Sequence, residues 1–115
     1  MDSEEMKRRT YQFAINVGVL TQGLPDSQIN RAYSNQIIRS SSSVGANYRA
    51  SRRAKSNADF INKLKIVEEE LDESLFFLEL LAFFNQPQKE DIGILYREGE
   101  TLLKIIVASI VSSRK

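Results

Sequence analysis

Apolar residues recur along the chain at alternating steps of three and four positions, which is the spacing of one face of an α-helix. Four such rows follow one another, and each row predicts an amphipathic helix. The rows are Met6, Thr10, Phe13, Val17, Leu20 and Leu24; Ile29, Tyr33, Ile37, Ser41, Val44 and Tyr48; Phe60, Leu64, Val67, Leu71, Ser74, Leu78 and Leu81; and Ile92, Leu95, Gly99, Leu102, Ile106 and Ser109.

Polar and helix-breaking residues mark the ends of the predicted helices. Pro25 closes the first helix, because proline lacks the backbone N–H that continues the hydrogen-bond ladder. Asp26 or Ser27 can then accept a hydrogen bond from the free N–H groups at the start of the second helix. Ser56, followed three residues later by Asp59, predicts the start of the third helix. The connections between the helices are therefore short.

A run of four serines, residues 40–43, lies within the second row. Composition alone would favour a flexible loop, but the apolar positions continue through the run without losing phase. We therefore predict an uninterrupted helix. Its small residues, including Gly45 and Ala46, would allow a neighbouring helix to approach closely.

Four amphipathic helices with short connections predict an all-α fold, an antiparallel up-and-down four-helix bundle. The length of 115 residues suits one compact domain, which we assign to residues 1–115. Only five glycines and two prolines occur, whereas the turns of a β-sandwich or barrel require many such residues. The composition therefore disfavours an all-β fold.

The chain contains no cysteine and no histidine, which removes most catalytic chemistry. Thiol and imidazole catalysis, thiolate zinc sites and imidazole metal ligands all need one of them. The acidic run of residues 68–73 invites a metal site, but di-iron helix bundles also use histidine, and these acids lie off the apolar row. We expect no metal, no cofactor and no enzymatic activity.

Positive charge is concentrated in the first half of the chain. Residues 1–55 carry nine basic and four acidic side chains, whereas residues 56–115 carry seven basic and eleven acidic ones. On a helical wheel, arginines of the second helix lie away from its apolar row, and further basic residues follow at the junction with the third helix. Because arginine donates paired hydrogen bonds to phosphate, this surface predicts electrostatic binding of RNA or DNA. The residues concerned are Arg31, Arg39, Arg49, Arg52, Arg53, Lys55 and Lys63.

Two other interpretations of this basic surface stay open. A charged helix face is often simply the solvated side of the helix. The arginines can also pair with the acidic run of residues 68–73 in the same subunit, which would leave no free positive surface and only a scaffold role. Tyr48 offers a ring for stacking on a base, although the wheel places it on the core side.

The third helix carries a second apolar stripe, at positions i, i+4 and i+7, roughly opposite its core-facing row. Further apolar residues lie beside the row of the fourth helix. Large apolar side chains aligned on an outer face are typical of protein contacts, so we expect self-association here; the alternative is one wide core-facing stripe. The two groups are Phe76, Leu80 and Phe83, and Leu103, Val107 and Ile110.

Three segments of the chain resemble a known family. They are residues 39–56, RSSSSVGANYRASRRAKS; residues 58–64, ADFINKL; and residues 68–81, EEELDESLFFLELL. The chain resembles the bacterial four-helix-bundle proteins encoded in intervening sequences of large-subunit ribosomal RNA genes. It is also similar to the accessory variability determinants of diversity-generating retroelements.

This resemblance implies a non-enzymatic four-helix bundle that assembles into a ring-like homopentamer with a basic surface. In the retroelement members, that surface is linked to binding of nucleic acid and reverse transcriptase. The matching motif region of this chain contains Arg39, Arg49, Arg52, Arg53 and Lys55.

We therefore expect an oligomeric, non-enzymatic accessory protein that binds RNA or DNA through the basic face of its second helix. The alternative is a protein-interaction scaffold that docks a partner such as a reverse transcriptase, with the arginines facing an acidic protein surface. An RNA-cleaving toxin would normally need a histidine, which the chain lacks. Membrane binding is disfavoured because the core already claims the apolar side of the basic helix.

The first residues show no apolar segment of the secretory kind. The most apolar run, residues 75–84, has about half the length that spans a bilayer. We therefore expect a cytoplasmic protein without membrane contact, and the resemblance implies a bacterial one.

Overall fold

The computed structural model describes residues 2–114, and this part of the chain forms four α-helices and no strand. Each helix packs against the next and α4 packs back against α1, within an elongated body of 45 × 20 × 20 Å. The predicted all-α bundle is confirmed. The helices are α1, Ser3–Gln22; α2, Gln28–Ser51; α3, Asn57–Phe84; and α4, Lys89–Ser113, with a 3₁₀ turn at Gln86–Gln88 between the last two.

Side-chain caps fix where α2 and α3 begin. The Ser27 hydroxyl oxygen accepts a hydrogen bond from the Asn30 backbone N–H at 3.0 Å, so the cap of α2 is Ser27 and not Asp26. The Ser56 hydroxyl oxygen accepts from the Asp59 backbone N–H at 3.1 Å, as predicted. Each cap satisfies one of the backbone donors that the first turn of a helix leaves free.

The serine run lies inside α2, which continues through residues 40–43 without a break. Ser40 and Ser74 are fully buried, and their hydroxyl oxygens lie 2.8 Å apart in a hydrogen bond between α2 and α3. On α1, the backbone of Thr10 packs directly against Gly45, where an added Cβ would be in van der Waals contact with the Thr10 carbonyl oxygen, at 3.6 Å. The small residues therefore serve close helix packing, as predicted.

The predicted apolar rows face the interior of the bundle. Row members near the helix ends, such as Leu24, Tyr33 and Phe60, are only half-buried, whereas the central members are almost completely enclosed. Among the largest fully buried side chains are Phe13, Ile37, Leu64, Leu71, Leu78, Leu81, Ile92, Leu102 and Ile106.

A glycine at position 99 allows α4 to fit against α1 and α3. A Cβ at Gly99 would lie 2.8 Å from Leu75 Cδ2 and 3.3 Å from Phe13 Cε1. Beside it, Arg9 donates two hydrogen bonds to the carboxylate of Glu98, at 2.6 and 3.0 Å, which join α1 to α4. The hydrogen bond to Glu98 raises the pKa of the Arg9 guanidinium. Among residues 2–114, no helix is both long and apolar enough to cross a membrane.

Candidate nucleic-acid interface

An open groove with a volume of about 880 Å³ runs between the amino-terminal part of α1 and the carboxyl-terminal part of α2. The two ends lie side by side because the helices are antiparallel. Ala46 and Ala50 contribute to the lining, and their small side chains leave the space between the helices open. Five of the residues that line this basic groove carry positive charge, namely Lys7, Arg8, Arg49, Arg52 and Arg53, and one, Glu4, carries negative charge.

The α2 wall of the basic groove holds charges without acidic partners. Arg49, Arg52 and Arg53 are exposed, and within residues 2–114 no carboxylate oxygen lies within 4.0 Å of their nitrogens. Their positions at the carboxyl end of α2 are also favoured by the helix dipole, whose negative end lies there. A local positive potential therefore remains for a ligand.

The α1 wall of the basic groove carries Lys7 and Arg8, which do not belong to the set of basic residues predicted from the sequence. The Lys7 ammonium lies 3.2 Å from Glu4, and the Arg8 guanidinium lies 3.7 Å from Glu5. Such solvent-exposed pairs contribute little stability and are screened by salt, so both cations can turn to a phosphate at small cost. The predicted antiparallel packing of the first two helices could have indicated Lys7 and Arg8, since it places residues 7–8 beside residues 49–53.

An exposed aromatic ring adjoins these charges. Tyr11 is 53% exposed, and the Arg49 guanidinium carbon lies 5.7 Å from the centroid of its ring. Arg52 takes a similar position over Phe60, at 5.6 Å. Both distances are typical of cation–π contacts, which hold a guanidinium in place while leaving its charge available.

Tyr48, the tyrosine considered for base stacking, belongs to the core. It is only 6% exposed, and burial raises the pKa of its phenol, with a smaller opposing effect from Arg52. The stacking role considered for Tyr48 is therefore contradicted, and Tyr11 is the aromatic residue that borders the basic groove.

Arg39 and Arg31 lie outside the basic groove, and both have acidic partners. Arg39 donates to Glu70 at 3.1 Å and to Glu73, and these hydrogen bonds raise the pKa of its guanidinium. Pairing with the acidic run, the alternative interpretation of the basic surface, therefore holds for this residue. Arg31 pairs with Asp26 near the opposite end of α2, about 27 Å along the helix from Arg49 at 1.5 Å per residue.

The two predicted lysines also lie outside the groove lining. Lys63 contacts Asp59 one helical turn earlier, at 3.9 Å. Lys55 is exposed in the connection between α2 and α3, where its backbone N–H donates to the Asp59 carboxylate at 3.1 Å. The structure thus brings three of the seven predicted basic residues, Arg49, Arg52 and Arg53, into one groove.

The predicted outer stripe of α3 is present in part. Phe76 and Phe83 are 56% and 70% exposed, and Leu80 between them is half-buried. Phe84, which lies outside the predicted stripe, is also exposed and packs edge-on against Phe83, with ring centroids 5.1 Å apart. We call Phe76, Leu80, Phe83 and Phe84 the α3 aromatic surface.

The predicted contribution of α4 to this outer surface needs a correction. Val107 is exposed and Leu103 is half-buried against the core, but Ile110 is only 4% exposed and belongs to the core itself. The expectation that Ile110 contacts a partner is therefore wrong. Ile110 lies next to the apolar row, so the core-facing side of α4 is wider than the row alone.

Acidic residues of α3 act as partners of arginine. Glu70 and Glu73 of the run at residues 68–73 contact Arg39. Within residues 2–114, no group of three or more acidic side chains is arranged to hold a metal ion.

Fold and surface together define a class: a small four-helix-bundle protein whose prominent features are a basic groove and an exposed aromatic surface. The family model described as 23S rRNA-intervening sequence protein matches residues 3–108, and the chain belongs to this family. The resemblance to proteins encoded in intervening sequences of ribosomal RNA genes is thereby confirmed.

One solved structure is similar over nearly the whole length. It is described as a protein with unknown function from the S23 ribosomal protein family, from Bacteroides thetaiotaomicron VPI-5482. It is 33% identical to this chain, with a TM-score of 0.83, and the match covers 91% of this chain and 97% of that one. Among curated proteins, none matches this chain.

Proposed function

We propose that this protein is a non-enzymatic, cytoplasmic accessory protein that binds the phosphate backbone of nucleic acid through the basic groove. The observation that carries the proposal is the placement of Arg49, Arg52 and Arg53, without acidic partners in residues 2–114, across an open groove from two further cations. Guanidinium groups bind phosphate with paired, charge-assisted hydrogen bonds. Such a groove recognises the backbone and carries little information about base sequence.

The expected affinity depends strongly on salt. Each phosphate that a cation neutralises releases condensed counterions, so the logarithm of the affinity falls with the logarithm of the salt concentration. Three arginines without acidic partners give a slope of about −2 to −3 for each subunit, depending on whether the ligand is a single strand or a duplex.

The test compares two double variants with equal changes in net charge. Arg49→Glu with Arg53→Glu reverses the α2 wall, whereas Arg31→Glu with Arg97→Glu changes exposed residues outside the groove. Fluorescence anisotropy with a labelled oligonucleotide is measured from about 50 to 200 mM salt. We expect the first variant to lose roughly tenfold or more in affinity and to show a flatter salt dependence, since charged hydrogen bonds contribute about 1.5–3 kcal/mol each.

The control variant should keep the wild-type slope and most of the affinity. Equal losses in both double variants would mean that only net charge matters, and the groove would then have no special role. Wild-type protein that does not bind, or an unchanged affinity for Arg49→Glu with Arg53→Glu, would refute the proposal. Helical circular dichroism confirms that each variant folds.

The α3 aromatic surface favours a second function, that of an oligomeric scaffold. Exposed aromatic residues are the side chains that most often anchor protein interfaces, and Phe76, Phe83 and Phe84 form such a patch. We propose that this surface contacts further copies of the chain, with five subunits implied by the family resemblance. The scaffold would dock a partner such as a reverse transcriptase.

Light scattering coupled to size exclusion tests the scaffold. We expect an oligomer for the wild-type protein and a monomer for Phe76→Ser with Phe83→Ser. Val19→Ser, at an exposed residue of α1, is the control and should leave the assembly intact. A wild-type monomer at micromolar concentration would contradict self-association.

A further inference from the structure

A second, smaller space adjoins the basic groove. It has a volume of about 370 Å³ and is lined by Tyr11, Ile15, Gly45, Ala46 and Arg49, among others. We call it the Tyr11 recess. Tyr11, Ala46 and Arg49 line both spaces, so the two are neighbours.

The two spaces differ in chemistry. The basic groove is surrounded by cations, whereas most of the side chains around the Tyr11 recess are small or apolar. A nucleotide has the same division, with an anionic phosphate at one end and a flat base at the other. The recess stays open at positions 45 and 46 because glycine has no side chain and alanine has only a methyl group.

Base pairing decides which nucleic acid can use both spaces. In a duplex the base faces are stacked inside the helix, so a duplex offers the groove its phosphates and offers the Tyr11 ring no base to stack on. An unpaired base can leave its stack and lie against an aromatic side chain, as in single-strand binding surfaces that combine a positive groove with aromatic rings.

Building on the proposed function, we propose that the ligand of the groove is single-stranded RNA or DNA, with one unpaired base stacked on Tyr11 in the Tyr11 recess. The neighbouring phosphates contact Arg49, Arg52 and Arg53. Each subunit therefore binds a short stretch of strand.

Three variants separate stacking from charge. Tyr11→Leu removes the ring, Tyr11→Phe keeps it, and Ala46→Leu fills the recess; all three leave every charge in place. Affinities of the wild-type protein and of each variant are measured by anisotropy for a single strand of mixed sequence and for the duplex of the same length, as RNA and as DNA.

We expect the wild-type protein to prefer the single strand. Tyr11→Leu and Ala46→Leu should weaken single-strand binding by about 5- to 150-fold, the range of one base–aromatic stack. Both should leave the salt slope unchanged, because no charge is altered. They should weaken duplex binding less than single-strand binding, since Tyr11 and Ala46 also line the basic groove. Tyr11→Phe should bind like wild type. RNA and DNA should behave alike, since stacking and phosphate contacts do not depend on the 2′-hydroxyl.

A spectroscopic signature adds a direct test. The chain contains no tryptophan, so Tyr11→Trp introduces a single indole at the recess. Its fluorescence should be quenched by an unpaired base that stacks on it, and the duplex should have little effect.

The outcomes distinguish this inference from the proposed function. Equal affinity for single strand and duplex, or wild-type affinity in Tyr11→Leu, overturns the stacking inference. If Arg49→Glu with Arg53→Glu still abolishes binding in that case, the proposed function stands without it. If the wild-type protein binds neither ligand, both the proposed function and the stacking inference fail.

Discussion

The side-chain amides of Asn30 and Asn85 hydrogen-bond to each other in both directions, with each Nδ2 donating to the other Oδ1 at 2.8 Å. Both residues are buried. The second amide hydrogen of Asn30 goes to the Pro25 carbonyl and that of Asn85 to the Leu81 carbonyl, each at 2.9 Å. This pair therefore ties the connection before α2 to the end of α3 and satisfies the buried donors of both amides.

Removing one partner of the amide pair should destabilise the bundle. Asn85→Ala leaves the Asn30 amide buried without its main partner, and we expect the free energy of unfolding to fall by about 1–3 kcal/mol. Urea denaturation followed by circular dichroism measures the loss. Asn35→Ala, at an exposed residue of α2, should change stability by less than about 0.5 kcal/mol. If Asn30→Ala and Asn85→Ala were simply additive in the double variant, the two amides would not act as a pair.

Two glycines of helix interiors should respond to alanine in opposite directions. At Gly99 the new Cβ meets Leu75 and Phe13, and forced repacking of a core costs about 1–3 kcal/mol, which outweighs the better helix propensity of alanine. At Gly18 nothing lies within 4 Å of the new Cβ, so alanine should stabilise α1 by about 0.5–1 kcal/mol. Thermal denaturation of the two variants checks both signs, and a stabilised Gly99→Ala would show that the contact with Leu75 relaxes freely.

Arg39 should matter for the bundle and not for binding. Its partners Glu70 and Glu73 belong to α3, so Arg39→Gln should lower the melting temperature by weakening the link between α2 and α3. Arg49→Gln should leave stability nearly unchanged and make the salt slope of nucleic-acid binding less negative by about one unit, because one phosphate contact is lost. If Arg39→Gln lost as much nucleic-acid affinity as Arg49→Gln, Arg39 would also be part of the binding interface.

We expect the stability of the fold to depend on pH mainly in the alkaline range. Burial raises the pKa of Tyr48, and burial together with Glu79 raises the pKa of Tyr96. A pKa that is higher in the folded state gives stability that is present below the unfolded value, about 10, and is lost as the pH rises above it. Urea titrations should therefore show stability falling above about pH 10, and falling less steeply in Tyr48→Phe.

Between about pH 6 and pH 8 we expect little change in stability or nucleic-acid affinity, since the chain has no histidine, whose unperturbed pKa falls in this window. A marked transition there would show that a group with a strongly perturbed pKa controls the protein.

Helix positions could be predicted because they depend on local chemistry. The spacing of apolar residues, the stop at Pro25 and the caps at Ser27 and Ser56 all act within a few residues of chain. The sequence also predicts the helical conformation of the serine run of α2, since the apolar row keeps its phase on both sides of the run. The exposure of Phe76 and Phe83 followed from the same period.

Which residues form the candidate interface could not be predicted from local sequence, because this depends on how neighbouring helices are aligned along each other. Arg39 and Arg49 are both arginines of α2 that lie away from its apolar row. Only the packed structure shows that the first lies beside Glu70 and Glu73, 31 and 34 positions further along the chain, whereas the second lies beside Tyr11.

The sequence by itself determined four helices, their core-facing rows and the excess of arginine on α2, since these properties follow the period of one helix. It also determined the order of the helices in the bundle, because short connections make successive helices antiparallel neighbours. The tertiary structure alone decided which charges remain available, because ion pairing and burial depend on distances between residues of different helices. Antiparallel packing of α1 against α2 brought Lys7 and Arg8 to the arginines of the groove, and packing of α4 buried Ile110.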